Sequence, residues 1–254
     1  MRGLAMVGAL FELSRAGWLH GIRHFAGTSV GAIIAAGLAI GVQPRTIWSK
    51  VLAFTYTPAI DLTQLDSSFG LDSGAGLDEW IALVLGSQPL TLRDVLERHG
   101  STLLICATNL STRHVTVFGP KTHPDMSVAL ALRMSCSVPL YFSAVKHDGD
   151  LYVDGALTDN FPIAAAAATN AKKVLGIRVQ STRKTAGHEW TFDQFVGAVV
   201  ECSLARPIPP SAVVVDIDAG SKTNPLNFAM KRPERQKLFD VGAAHARLFV
   251  KKQS

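Results

Sequence analysis

The chain has 254 residues, 48% of them hydrophobic and 18% charged, with a formal net charge of +5. That balance fits one large α/β domain or two small ones and excludes a disordered chain, while the scattered basic residues exclude an extended nucleic-acid footprint. Cys106, Cys136 and Cys202 lie far apart without CxxC spacing, and the eight histidines form no HExxH or close pair. No disulfide framework, metal site or cofactor is therefore expected, and the setting is read as a reducing, cytoplasmic one.

Arg2 followed by the apolar stretch Leu4 to Phe11 has the outline of a signal peptide, but Glu12 and Arg15 interrupt it and no small-residue cleavage site follows. Residues 4–16 instead place Leu4, Val7, Leu10, Phe11 and Ser14 at helical spacing, with Gly17 as a stop. "GIRHFAG", residues 21–27, reads as a buried strand. A helix over Val30 to Leu38 follows with only "GTS" between them. The apolar run Val30 to Val42 falls short of the roughly 20 residues that a bilayer requires, so no transmembrane helix is expected.

Residues 44–100 read as helices and loops: "PRTIWSKVLAF", "GLDEWIALVLG", and "TLRDVLERHG" with a Thr91 cap and a Gly100 stop. "TLLICATNL" is a strand with "HVTVFG" as its hairpin partner, and "DMSVALALRMSCSVP" is a helix running into Pro139. "LYVDGALTDNFPI" is a strand closed by a turn, ahead of a helix in "AAAAATNA". "KKVLGIRVQ" and "SAVVVDID" are buried strands with a helix around Asp193 to Leu204 between them. The last helix spans about Glu234 to Lys252, after a "KRPER" cluster that reads as a solvated turn. No repeat, linker or boundary divides the chain. Alternating strands and helices imply one three-layer α/β/α domain over 1–254 with a mostly parallel central sheet. Its motif-bearing core is about 1–180, and C-terminal strands and a helix fill about 181–254.

"GTSVG", Gly27-Thr28-Ser29-Val30-Gly31, fits G-x-S-x-G at a strand-to-helix junction. Such a turn lifts a serine hydroxyl above the sheet, in front of a helix N-terminus suited to developing negative charge. The competing reading makes Ser29 an ordinary helix N-cap. A nucleophilic hydroxyl requires a base. His188 and His245 come late enough in the chain but neither sits at a strand end. Asp154, in "VDGA" before Gly155 and Ala156, is the better partner, although an aspartate before glycine is equally a turn cap.

Taken together, "FAGTSVGAIIAAGLAIG", "LLICATNLST", "LALRMSCSVPLYFSAV" and "LYVDGALTDNFPI" resemble the patatin-like phospholipase family from Met1 to about Ile163. The resemblance implies a Ser-Asp dyad, with Ser29 as nucleophile, Asp154 as general base and an acyl-enzyme on Ser29. It also implies phospholipid or acylglycerol substrates met at a lipid surface, so peripheral membrane contact is expected and nucleic acid is not. Asp159, Asn160, Arg133 and Ser135 are expected to organise structure. The family's oxyanion loop has the form G-G-G-x-[RK]-G. Arg2 and Gly3 align with its end, and its leading glycines and preceding strand have no counterpart in the sequence. The resemblance thus leaves three expectations: a lipid acyl hydrolase, a catalytically weak or silent lipid-binding paralogue, or an acyltransferase.

Overall fold

The computed structural model describes residues 3–86, 89–169, 171–180, 195, 196, 199, 208–220, 227 and 230–253. The chain opens with α1 (Gly3–Arg15), β1 (His24–Thr28), α2 (Val30–Ala39) and α3 (Pro44–Ala53), close to the spans that the periodicity predicts. Where the sequence offered only loops there is a 3₁₀ turn (Leu62–Gln64), then α4 (Leu65–Ser68) and β2 (Gly70–Asp72). Three and four residues are too few for an alternation to register. Next come α5 (Ala75–Leu85) and α6 (Leu92–His99). Thr91 and Asp94 form a reciprocal capping box at the start of α6, and Gly100 closes it at φ 62°.

The second half runs β3 (Thr102–Asn109), β4 (His114–Phe118), α7 (Val128–Ser135), β5 (Leu140–Phe142), β6 (Val145–His147) and β7 (Asp150–Asp154). The expected turn after β7 is a short helix, α8 (Ala156–Asp159), followed by α9 (Ile163–Ala167), β8 (Val174–Gln180), β9 (Ala212–Asp218) and α10 (Arg232–Gln253). Of the helix expected around Asp193 to Leu204, only Phe195, Val196 and Val199 are among the described residues. Cys202 and His188 lie outside them.

β3 organises the main sheet. It pairs parallel with β1, from His24↔Thr102 to Thr28↔Cys106, and antiparallel with β4, from Ile105↔Phe118 to Asn109↔His114. It also pairs antiparallel with β7, from Ala107↔Asp154 to Asn109↔Tyr152. Ile105 and Cys106 are shared by β1 and β4, and Ala107 to Asn109 by β4 and β7. A strand has two edges, so β1 and β7 lie end to end along one edge of β3, with β4 on the other. Their C-terminal ends meet at the adjacent rungs Cys106 and Ala107. Two further parallel pairs, β2 with β5 and β8 with β9, complete the α/β fold.

Five consecutive β3 residues, Ile105 to Asn109, are buried. Because alternate side chains point to opposite faces, both faces of the strand are covered, as a layered α/β sandwich requires. α1 is likewise buried on two sides. Leu4, Val7 and Leu10 join the main core, whereas Ala5, Ala9 and Leu13 pack with Val215, Ile217 and Ala246. Its contact with α10 is close: a Cβ at Gly8 would stand 2.0 Å from the Phe239 carbonyl oxygen, and one at Gly242 1.8 Å from that of Ala5. The "KRPER" cluster is no solvated turn at its last residue. Arg235 is buried at the start of α10 and donates to the carbonyls of Met230 (2.9 Å) and Val51 (3.0 Å), because those acceptors compensate its desolvation. No helix of the described residues is long and apolar enough to cross a membrane.

Candidate active site

The end-to-end meeting of β1 and β7 decides which side chains converge. β1 delivers Ser29 just past Thr28, β7 delivers Asp154 at its last position, and Ser29 Oγ donates to Asp154 Oδ2 at 2.6 Å. Ser29 stands at the N-cap position of α2, yet its side chain makes no capping bond. Its backbone sits at φ 54°, ψ −135°, a region that residues with a Cβ avoid. The hydroxyl faces a carboxylate instead of the helix, so the cap reading is set aside.

Asp154 keeps both readings of its sequence, one per oxygen. Oδ1 accepts from the Ala156 N–H at 2.8 Å, which is the turn cap, and Oδ2 takes Ser29. The residue is 1% exposed. Burial disfavours its charged form and lifts its pKa to about 6, partly offset by the hydrogen bonds from Ser29 and from the Ala156 amide. A carboxylate held in this way can take a proton near neutral pH. Cys136 is buried close enough to the same pair for the Asp154 charge to act on it. Burial first, then the Asp154 charge, push its thiol up, so it remains a neutral SH.

The glycines of the two motifs are unequal. A Cβ on Gly27 would stand 2.5 Å from Ala32 Cα and 2.6 Å from Ala32 N, inside the turn itself. One on Gly155 would stand 2.2 Å from the Cys106 carbonyl oxygen, where β7 meets the β1–β3 rung. One on Gly31 would meet nothing nearer than Met6 Sδ at 3.9 Å. Gly27→Ala is therefore expected to lower stability by about 1–3 kcal/mol. Gly31→Ala should be neutral or stabilising by up to about 1 kcal/mol, since alanine is the better helix former. Urea unfolding midpoints of the two variants check this contrast.

The remaining expected residues fall as follows. Gly3 begins α1 directly against Val30, with a Cβ there only 2.5 Å from Val30 Cγ2, whereas Arg2 lies outside the described residues. Two helix starts, those of α1 and α2, thus converge beside Ser29. A small apolar crevice opens there, lined by Gly3, Leu4 and Val7 of α1, Val30 and Ile34 of α2, Val51 of α3 and Trp80 of α5. The Asp159 carbonyl accepts from Thr28 Oγ1 at 2.7 Å, bracing the residue before Ser29. Arg133 is buried and structural: it donates to Ser137 Oγ and to the Ser73 carbonyl (2.6 Å) and pairs with Asp78 (3.4 Å). His245 is remote in α10, its Nδ1 2.9 Å from the Val241 carbonyl. No cluster of three or more His, Cys, Asp or Glu suited to a metal occurs among the described residues.

Comparison with known proteins places this geometry in context. The family model described as patatin-like phospholipase matches residues 1–167. The chain is 28% identical over 207 residues to "Probable lipid hydrolase 463L" of Invertebrate iridescent virus 6, covering 75% of this chain and 71% of that one. It is 26% identical to the uncharacterized protein YqhO of Bacillus subtilis (strain 168), covering 99% and 95% respectively. Among solved structures, VipD from Legionella pneumophila superposes with a TM-score of 0.59 at 15% identity. That match covers 99% of this chain but only 65% of VipD, so what is shared is the fold.

Proposed function

The chain belongs to the patatin-like phospholipase family, a family of lipid hydrolases, and from that premise we propose that it cleaves acyl esters of phospholipids or acylglycerols with Ser29 as nucleophile and Asp154 as general base. The observation that carries this reading is the 2.6 Å hydrogen bond from Ser29 Oγ to a buried Asp154 at the meeting point of two strands. Ser29 Oγ attacks the ester carbonyl carbon while its proton passes to Asp154 Oδ2. The oxyanion lies at the start of α2, where the Val30 N–H has no intrahelical partner and the helix dipole is favourable. Gly3, packed on Val30, brings the amide end of α1 to the same place. The alcohol leaves with the proton from Asp154, and water, deprotonated by Asp154 in turn, releases the fatty acid from Ser29.

The whole chain is taken as one domain, since α10 closes on α1 and buries α1's second face. The test is turnover of a fluorogenic acyl ester together with labelling by a fluorophosphonate, followed by mass mapping of the modified peptide. Label on the peptide carrying Ser29, with release of free fatty acid, is expected. A folded chain that neither labels nor hydrolyses overturns the reading and leaves a lipid-binding role. Label without release of free fatty acid, with ester turnover appearing only when an acceptor alcohol is added, marks acyl transfer.

Contact with a lipid surface belongs to the same proposal. Ile60, Leu62, Leu65 and Phe69 are exposed around α4, with Leu62 at 75%, and the β2–β5 pairing sets the exposed Leu140 across from Gly70, next to Phe69. β5 begins three residues beyond Ser137, whose carbonyl accepts from Asp154 N, so this apolar edge adjoins the site. Burying one large apolar side chain is worth about 1.5–3 kcal/mol. The double substitution Leu62→Asp and Phe69→Asp is expected to weaken binding to phosphatidylcholine–phosphatidylglycerol vesicles by about tenfold or more, measured by co-sedimentation with folding verified by circular dichroism.

A further inference from the structure

The elbow at Ser29 has to be held from outside, because its backbone conformation is one that a serine leaves when it can. The hold comes from one short segment at the end of α7. The Ser29 N–H donates to Ser135 Oγ at 2.9 Å, and Ser135 Oγ donates to the Cys106 carbonyl at 2.6 Å. The hydroxyl thus bridges the amide of Ser29 to the rung of β3 on which β1 ends. The same segment holds the other partner through its backbone. The Gly155 N–H donates to the Ser135 carbonyl at 3.3 Å, and the Asp154 N–H to the Ser137 carbonyl at 2.8 Å. Ser135 and Ser137 are both fully buried, so no water competes for these bonds.

Resting on the hydrolase reading above, we infer that Ser135 is a positioning residue. Its hydroxyl fixes the Ser29 amide and its carbonyl fixes Gly155, so that one residue sets the hydroxyl of Ser29 against the carboxylate of Asp154. No other side chain among the described hydrogen bonds reaches the Ser29 backbone amide. Removing the hydroxyl leaves the Ser29 N–H and the Cys106 carbonyl without that bridge, and the elbow relaxes away from its positive φ. Ser135 touches neither the substrate nor the reacting atoms, so its removal acts on orientation.

Ser135→Ala is accordingly expected to lower kcat by about 10²-fold while KM changes by less than about threefold, the pattern of a misplaced reacting group. Two further readings separate positioning from mere loss of stability. The acid limb of the kcat profile should move to higher pH, because the Ser29 hydrogen bond that favours ionised Asp154 is lost. Hydrogen exchange in the peptide spanning residues 27–34 should quicken at temperatures where circular dichroism shows the variant folded. Ser135→Thr, which keeps the hydroxyl, should recover most of kcat. If Ser135→Ala does not fold, Ser135→Cys carries the same measurements with a weaker acceptor of similar size. An unchanged kcat with unchanged exchange overturns the inference while leaving the hydrolase reading intact. A wild-type chain without turnover or labelling sinks that reading instead, and the exchange comparison alone then decides the role of Ser135.

Discussion

Ser29→Ala and Ser29→Gly are both expected to lower ester hydrolysis by at least about 10⁴-fold and yet to differ in stability. The loss of activity is common to both because neither offers an oxygen nucleophile, and the carboxylate that remains has no hydroxyl to deprotonate. The stabilities part because Ser29 sits at φ 54°, ψ −135°. Alanine keeps the Cβ and its strain, and it also withdraws a hydrogen bond from the buried Asp154. Glycine withdraws the same bond but tolerates positive φ, relieving roughly 1–3 kcal/mol of strain against about 0.4–1 kcal/mol of added chain entropy in the unfolded state. The glycine variant is therefore expected to exceed the alanine variant by about 1 kcal/mol in urea unfolding. Equal stability of the two would mean that the elbow is not strained. A loss of less than about tenfold in both variants would mean that Ser29 is not the attacking group.

How much of this could be read from the sequence follows from the distances in chain over which each signal acts. The helices α2, α3, α5 and α6 and the strands β1 and β3 carry local periodicity, and Thr91 and Gly100 mark the ends of α6 by chemistry confined to one turn. β5 and β6, at three residues each, carry too few alternations to register. α1 showed one apolar face in the sequence and has two. Its second face, Ala5, Ala9 and Leu13, matters only because a helix more than two hundred residues later packs on it.

The site divides in the same way. Ser29 and Asp154 stood out because each sits in a local motif, and both motifs left a capping role open. What brings the two side chains together is long-range: the shared edge of β3, which no local pattern announces. The glycines are instructive, since G-x-S-x-G treats Gly27 and Gly31 alike whereas only Gly27 is pressed against backbone. Ser135 reads in the sequence only as a structural residue on the helix before Pro139. Its bond to an amide 106 residues away had no signature in "RMSCSVP".

Asp154→Asn is expected to lower kcat/KM by about 10³-fold while changing stability in a direction that depends on pH. In the wild type the acid limb of kcat/KM should fall tenfold for each pH unit below about 6, because only ionised Asp154 accepts the Ser29 proton. The same group makes stability depend on pH. A carboxyl whose folded value is raised from 3.8 to about 6 contributes stability below 3.8, where both states are protonated, and loses it as pH rises through about 6. That difference amounts to roughly 3 kcal/mol for a fully buried group, spent on keeping a charge where the chemistry requires it. Asparagine never ionises, so its variant is free of that loss, though an amide serves the Ser29 hydroxyl and the Ala156 N–H less well than a carboxylate does. The stability of Asp154→Asn relative to wild type should therefore rise between about pH 4 and pH 6.5 and level off above, as followed by thermal melts across that range. A flat difference would show that Asp154 ionises as readily in the fold as in the open chain, and the acid limb of the rate profile would then sit near pH 4 instead of near 6.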